Sequence, residues 1–157
     1  MLVSTQTLRM TSPEDTARLA AELAPMLRAG DTLLLDGPIG AGKTHFARSL
    51  VLARLPEPED VPSPTFTLVQ TYAGVGAEIW HCDLYRLTHP DEVLELGLDE
   101  ALEKAICLIE WPDRLGELVP EDALSVRFEL TGTLQERLVT FSAQAPRWTP
   151  VLERFFE

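Results

Sequence analysis

The sequence predicts an α/β fold with a mixed central sheet, parallel around one buried strand and extended by antiparallel additions. Three consecutive stretches predict it. Residues 32–36, Thr-Leu-Leu-Leu-Asp, form a short apolar run of the kind a buried parallel strand makes. Gly37-Pro38-Ile39-Gly40-Ala41-Gly42-Lys43-Thr44 follows, with the spacing G-x-x-x-x-G-K-[ST]. Residues 45–53 then read as a helix. Strand, glycine loop and helix in this order are the context in which that spacing means a phosphate-binding loop. The implied architecture is a P-loop NTPase-like three-layer sandwich.

The other elements follow in chain order. Residues 2–10 carry alternating apolar positions and predict an edge strand. Ser12 is the N-cap of a helix, Pro13 suits its first turn, and Asp15 completes a capping-box spacing. Leu19, Ala20, Leu23, Ala24 and Leu27 form its apolar stripe, Pro25 is placed to kink it, and Gly30 to stop it. Residues 55–64 hold four prolines and three acids, a stiff acidic loop. Residues 65–72 are β-branched and aromatic, and predict a strand. Gly74 and Gly76 turn it into a hairpin partner over 78–85. Pro90-Asp91-Glu92 opens a helix that Gly97 ends, and 98–104 form a second. Residues 105–111 are an apolar run that ends in an acid, Glu110, before Trp111. Residues 124–130 and 137–141 alternate as two antiparallel strands, and Trp148, Val151, Leu152 and Phe155 have the spacing of a closing helix. One domain over residues 1–157 accommodates all of this.

The chemistry of the loop follows from its spacing. Gly37 and Gly42 allow backbone angles that other residues resist. The amides of Gly37, Ile39, Gly40, Ala41 and Gly42 then form an anion-binding nest. The helix start at Lys43, Thr44 and His45 adds unpaired N–H groups and the positive end of the helix dipole. Lys43 has the reach for β and γ phosphates, and the Thr44 hydroxyl is a Mg²⁺ ligand. Of the chain's two lysines, one falls on this position.

Composition narrows the partners. The net charge of −12 argues against a surface that grips a nucleic-acid duplex through its phosphates. A nucleotide in one local pocket, or a protein with a basic face, fits better. The two cysteines, Cys82 and Cys107, sit in apolar runs and read as buried free thiols. With no C-x-x-C and three histidines, zinc has little support. No signal peptide and no stretch long enough to span a bilayer is evident, so the expected location is cytoplasmic.

Nucleotide hydrolysis needs an acid near Mg²⁺ and a group to orient water. Glu110 stands where a Walker-B acid sits; its other reading is a cap for the helix after Pro112. Asp83, at a strand end, is the second acid; its other reading is a surface pair with Arg86. Ser63-Pro64-Thr65-Phe66-Thr67 sets a rigid proline beside hydroxyls, as γ-phosphate-sensing segments do; Thr65 and Thr67 read equally as strand residues. His45 and His81 read as packed or solvated side chains, and Trp111 as core or as a stacking platform beside Glu110.

Four blocks in order resemble one family: the loop 37–44, Ser-Pro-Thr-Phe-Thr-Leu-Val at 63–69, His-Cys-Asp-Leu-Tyr-Arg-Leu at 81–87, and Ile-Glu-Trp-Pro at 109–112. The chain is similar to the TsaE (YjeE) family of ATPases in tRNA threonylcarbamoyladenosine biosynthesis. The resemblance covers about residues 12–112; residues 120–157, read as antiparallel strands and a closing helix, match loosely. It implies that Lys43 and Thr44 hold phosphate and Mg²⁺, that Thr65 responds to the γ-phosphate, that Asp83 positions or activates water, and that Glu110 supports Mg²⁺. It places Trp111 near the nucleotide on a mobile segment, and Ser12, Glu14 and Thr16 near the adenine. It departs at Pro38-Ile39, where the family commonly has Asp-Leu. The implied cofactors are ATP and Mg²⁺, and the implied partner is the TsaD–TsaB transferase heterodimer, which ATP binding and hydrolysis reset between rounds of modification next to the anticodon.

Three alternatives remain at this level. A small-molecule or nucleotide kinase shares the loop but usually carries an arginine-rich lid; the eleven arginines here are scattered. A GTPase selects guanine through N-K-x-D, and this chain has no asparagine. A binding module without turnover would not need the two acids Asp83 and Glu110.

Overall fold

The computed structural model describes residues 4–57, 61 and 68–155. Seven strands form one sheet: β1 (Ser4–Met10), β2 (Thr32–Asp36), β3 (Val69–Gly74), β4 (Ala77–Asp83), β5 (Ile106–Glu110), β6 (Leu124–Leu130) and β7 (Arg137–Ala143). Their order is β1-β7-β6-β2-β5-β4-β3. β2 lies at the centre with β6 and β5 parallel to it, and β4 runs parallel to β5. The pairs β6–β7, β1–β7 and β3–β4 are antiparallel. The sheet is therefore parallel around the strand that feeds the glycine loop, with antiparallel wings.

Strand alternation splits the core in two. On β2, Leu33 and Leu35 face one way and Leu34 the other; on β5, Ile106 and Leu108 oppose Cys107 and Ile109. The first face packs against α1 (Pro13–Leu23), α2 (Lys43–Arg54) and α5 (Thr149–Phe155), through Leu23, Phe46, Leu50 and Leu152. The second packs against α3 (Asp91–Glu95) and α4 (Leu98–Lys104), through Val93 and Leu98. Helix, sheet and helix make the three layers.

Three expectations need correction. The stripe from Leu19 to Leu27 is buried, but α1 ends at Leu23 and Ala24–Met26 form a 3₁₀ turn. Pro25 has no N–H for the helical ladder, so the helix stops well before Gly30. The Asp15 carboxylate reaches back to the backbone N–H of Thr11 at 3.0 Å rather than to that of Ser12, while Ser12 Oγ accepts from Asp15 N–H at 3.2 Å. The strand expected over 65–72 begins at Val69, with Leu68 before it in a bend; residues 65–67 lie outside the described residues. Among the described residues no helix is long and apolar enough to cross a membrane.

Candidate nucleotide-binding site

The loop between β2 and α2 takes the backbone its glycines permit. Gly37, Gly40 and Gly42 have φ of 139°, 82° and 106°. A Cβ on Gly37 would lie 2.4 Å from the Phe128 carbonyl oxygen of β6, so the loop root is pressed against the sheet. A Cβ on Gly40 or Gly42 would meet nothing within 4 Å, which leaves open space over the nest. Helix α2 starts at Lys43 without any side-chain cap, so the dipole and the first amides face that space. Ile39 lies outside it, 72% exposed.

Lys43 is 4% exposed. Its ammonium donates to the Gly37 carbonyl at 2.6 Å and lies 3.4 Å from the centre of the Trp111 ring. Burial pulls its pKa below the ordinary value, opposed by the negative charges of Glu110, Asp36, Asp83 and Asp113. A phosphate is a stronger partner for this ammonium than a neutral carbonyl.

Glu110 ends β5 on the face that meets α2, and it is 2% exposed. Its Oε1 accepts from the Thr44 hydroxyl at 2.7 Å, and its Oε2 lies 2.7 Å from His81 Nε2. The alternative of a helix cap does not hold. The 3₁₀ segment Pro112–Leu118 has no side-chain cap, and the Glu110 carboxylate is held instead by Thr44 of α2 and His81 of β4. Asp83 is the register partner of Glu110 on the parallel neighbour β4, so both acids sit side by side at strand ends. Its carboxylate accepts the Tyr85 N–H at 3.1 Å. Burial holds the Asp83 carboxyl above its ordinary value, with Glu110 adding to the rise and the Tyr85 N–H opposing it.

Lys43, Thr44, Asp83, Glu110 and Trp111 thus converge at one mouth. Trp111 has φ 59°, left-handed for a non-glycine residue, and its ring stands 5.0 Å from that of Tyr85. The start of α1 is tied to the start of α2 by His45 Nε2, 2.9 Å from the Pro13 carbonyl. Ser12 and Thr16 therefore flank the loop helix, with Ser12 serving as N-cap and Thr16 buried. Thr65 lies outside the described residues.

Two side chains stand at this mouth that the sequence did not mark as part of the site. His81, buried completely, holds Glu110. The signal was its i, i+2 spacing to Asp83, which puts both on one face of a strand. Arg137 at the start of β7 reaches the Gly40 carbonyl at 3.3 Å, a contact across 97 residues that no local pattern announces.

A Thr hydroxyl and a carboxylate are hard oxygen donors of the type Mg²⁺ takes, and both stand beside an amide nest suited to phosphate. The site therefore fits a Mg²⁺-bound nucleotide.

Known proteins resemble this chain over most of its length. The family model described as "Threonylcarbamoyl adenosine biosynthesis protein TsaE" matches residues 10–139. A protein of Rickettsia bellii named tRNA threonylcarbamoyladenosine biosynthesis protein TsaE is 40% identical over 129 residues, covering 82% of this chain and 89% of that protein. The Bacillus subtilis protein of the same name is 35% identical over 150 residues, covering 92% and 90%. The crystal structure of Bacillus subtilis YdiB superposes with a TM-score of 0.82 at 31% identity, over 98% of this chain and 95% of that one. With the family model matching most of the chain, relatives 35–40% identical over most of their length and a fold shared with YdiB, the chain belongs to the TsaE family.

Proposed function

We propose that the chain binds ATP with Mg²⁺ and hydrolyses it, and that this cycle serves threonylcarbamoyladenosine modification of tRNA. The observation that carries the proposal is the meeting of Lys43, Thr44 and Glu110 at the mouth of the glycine loop. The loop amides and Lys43 take the β and γ phosphates. Thr44 and Glu110 would hold Mg²⁺, whose charge would offset that of the phosphate oxygens during transfer. His81 keeps the Glu110 carboxylate turned toward Thr44. Asp83, beside Glu110 in the register, orients the attacking water. Thr65 acts in sensing the γ-phosphate. The work is positioning and electrostatics, which is what phosphoryl transfer asks of a protein.

The relatives' names support the tRNA-modification role, and the family resemblance supports the TsaD–TsaB heterodimer as the partner. The net charge of −12 supports contact with tRNA through that complex rather than directly. The chain works in the cytoplasm on this reading. Phosphate release from ATP, measured with and without purified TsaD–TsaB, tests it. Release without a phosphorylated acceptor, raised by the pair, is expected. Transfer to a small acceptor would make the chain a kinase, and GTP outcompeting ATP would overturn the adenine assignment.

A further inference from the structure

Away from the glycine loop, a cleft of about 390 Å³ lies between β4 and α4, within the size range of ligand pockets. Glu78, Trp80 and Cys82 alternate on the face of β4 that meets the second core, and the first two line the cleft. Beyond β4 lies β3, the edge of the sheet. Its Thr71 and Ala73, the register partners of Trp80 and Glu78, are exposed. The helical layer thus stops over β4, and the cleft opens sideways along the hairpin. Such a channel admits a length of chain and does not enclose a small molecule.

The side chains of the cleft favour a cation. Trp80 is half-buried against the second core, and its indole N–H donates to the Glu78 carboxylate. A Cβ on Gly97 would stand 3.8 Å from Cη2 of the ring, so the indole is held by a strand neighbour on one side and by the α3–α4 elbow on the other. Among the described residues Glu78 is in no ion pair. The second acid of the cleft, Glu100, meets Lys104 at 2.8 Å, but both side chains are 70% exposed, and such a pair is readily exchanged. A guanidinium is the better partner: it stacks on an indole and offers a fork of donors to carboxylates. The surroundings extend the charge. Helices α3 and α4 carry Asp91, Glu92, Glu95, Asp99 and Glu103 besides Glu100, against the single base Lys104. Leu94 and Leu96, just before Gly97, are exposed beside these acids.

We propose that the cleft between β4 and α4 is a docking site for a basic segment of a partner protein, and that it seats an arginine side chain against Trp80 with Glu78 and Glu100 as its ion-pair partners. Charge complementarity selects the occupant, and the open channel and exposed leucines make it a protein segment rather than a free cation. The site is separate from the nucleotide mouth, because Trp80 precedes Asp83 on β4 by three residues, about 10 Å of strand.

The probe is a short Gly-Arg repeat peptide, set against its citrulline counterpart, which keeps the shape without the charge, and against spermidine. Binding to the full chain at low salt is read by calorimetry and by the indole N–H signal of Trp80 in a proton–nitrogen correlation spectrum. The arginine peptide is expected to move that signal, and the citrulline peptide is not. Glu78→Gln with Glu100→Gln should weaken the arginine peptide about tenfold, while Glu121→Gln with Glu153→Gln, an equal loss of charge at exposed positions elsewhere, should stay within about twofold. Trp80→Leu should weaken it by about fivefold, the size of one cation–π contact. Equal loss in the two double variants would mean diffuse attraction to an acidic chain and would overturn the proposal. So would an unmoved Trp80 signal, or equal binding of the citrulline peptide. Spermidine moving the Trp80 signal as far as the peptide does would make the cleft a site for small cations and overturn the docking assignment. If Trp80→Leu does not fold, the Glu78 and Glu100 pair carries the test, since the glutamine at 78 keeps an acceptor for the indole N–H.

Discussion

The Thr44 hydroxyl donates to Oε1 of Glu110 at 2.7 Å, joining the first turn of α2 to the last residue of β5 across 66 residues of sequence. Each of these groups would be a Mg²⁺ ligand, and each holds the other in place. Glu110→Gln keeps the shape and the Thr44 contact but removes the charge. The turnover of Mg·ATP should fall about 10²–10³-fold, the scale of removing one preorganised electrostatic group, with the melting temperature little changed. A variant with unaltered turnover would remove Glu110 from the chemistry.

Lys43 should matter for affinity before it matters for rate. It is a buried cation at the mouth, and its bond to Gly37 is to a neutral carbonyl. Lys43→Ala removes a charge-assisted bond to phosphate worth about 2–3 kcal/mol. ATP affinity should drop by roughly 30- to 150-fold. Calorimetric titration reads this directly, and a dissociation constant within a few-fold of wild type would reject the site.

Asp83 should cost stability. Burial, aided by Glu110, holds its carboxyl above the ordinary 3.8. The folded chain therefore keeps this proton to higher pH than the unfolded chain does. Between 3.8 and the raised value the native state binds more protons, so stability falls as pH rises through that window. Above it the penalty stays in full. Asp83→Asn keeps an acceptor for the Tyr85 N–H and should be more stable at neutral pH by about 1 kcal/mol, while losing turnover. The difference should close as pH drops below 3.8. Thermal melts over that range check it; a wild type as stable as the variant at neutral pH would contradict the burial argument.

Trp111 inverts the usual ranking of alanine over glycine. Its φ of 59° is left-handed, a conformation that costs a residue with a Cβ roughly 1–2 kcal/mol. Both Trp111→Ala and Trp111→Gly lose the ring contacts with Lys43 and Tyr85. The glycine variant should nevertheless melt higher than the alanine variant. Equal melting temperatures would mean that the backbone relaxes once the indole is gone.

The cysteines give a simpler check. Both are fully buried, burial pushes the Cys107 thiol up to about 12, and Cys82 is raised well above its ordinary value. Neither should react with a thiol reagent in the native state, and both should on denaturation. Rapid native labelling would argue for opening of the β4–β5 region.

What the sequence disclosed was mostly local. The unit from Thr32 to Arg54 was legible because strand, loop and helix are consecutive and each residue type answers a local need. The paired β6–β7 strands were legible from alternation. The end of α1 was misread because the apolar stripe runs through Pro25 without a break, although the backbone ladder does not. The role of Glu110 stayed ambiguous in sequence because its deciding contacts, Thr44 and His81, come from α2 and β4. Arg137 was invisible for the same reason: its place beside Gly40 depends on how β6 and β7 fold back, and no spacing encodes that.

The close approach of Gly37 to the Phe128 carbonyl has a directional consequence. The root of the loop is backed by a rigid wall of main chain, while the ground in front of Gly40 and Gly42 is clear. The clear side is the one open to an anion, and at its root the loop has no room to recoil toward β6. A methyl group at position 37 would jam this anvil, so Gly37→Ala should be as damaging as a far larger substitution there.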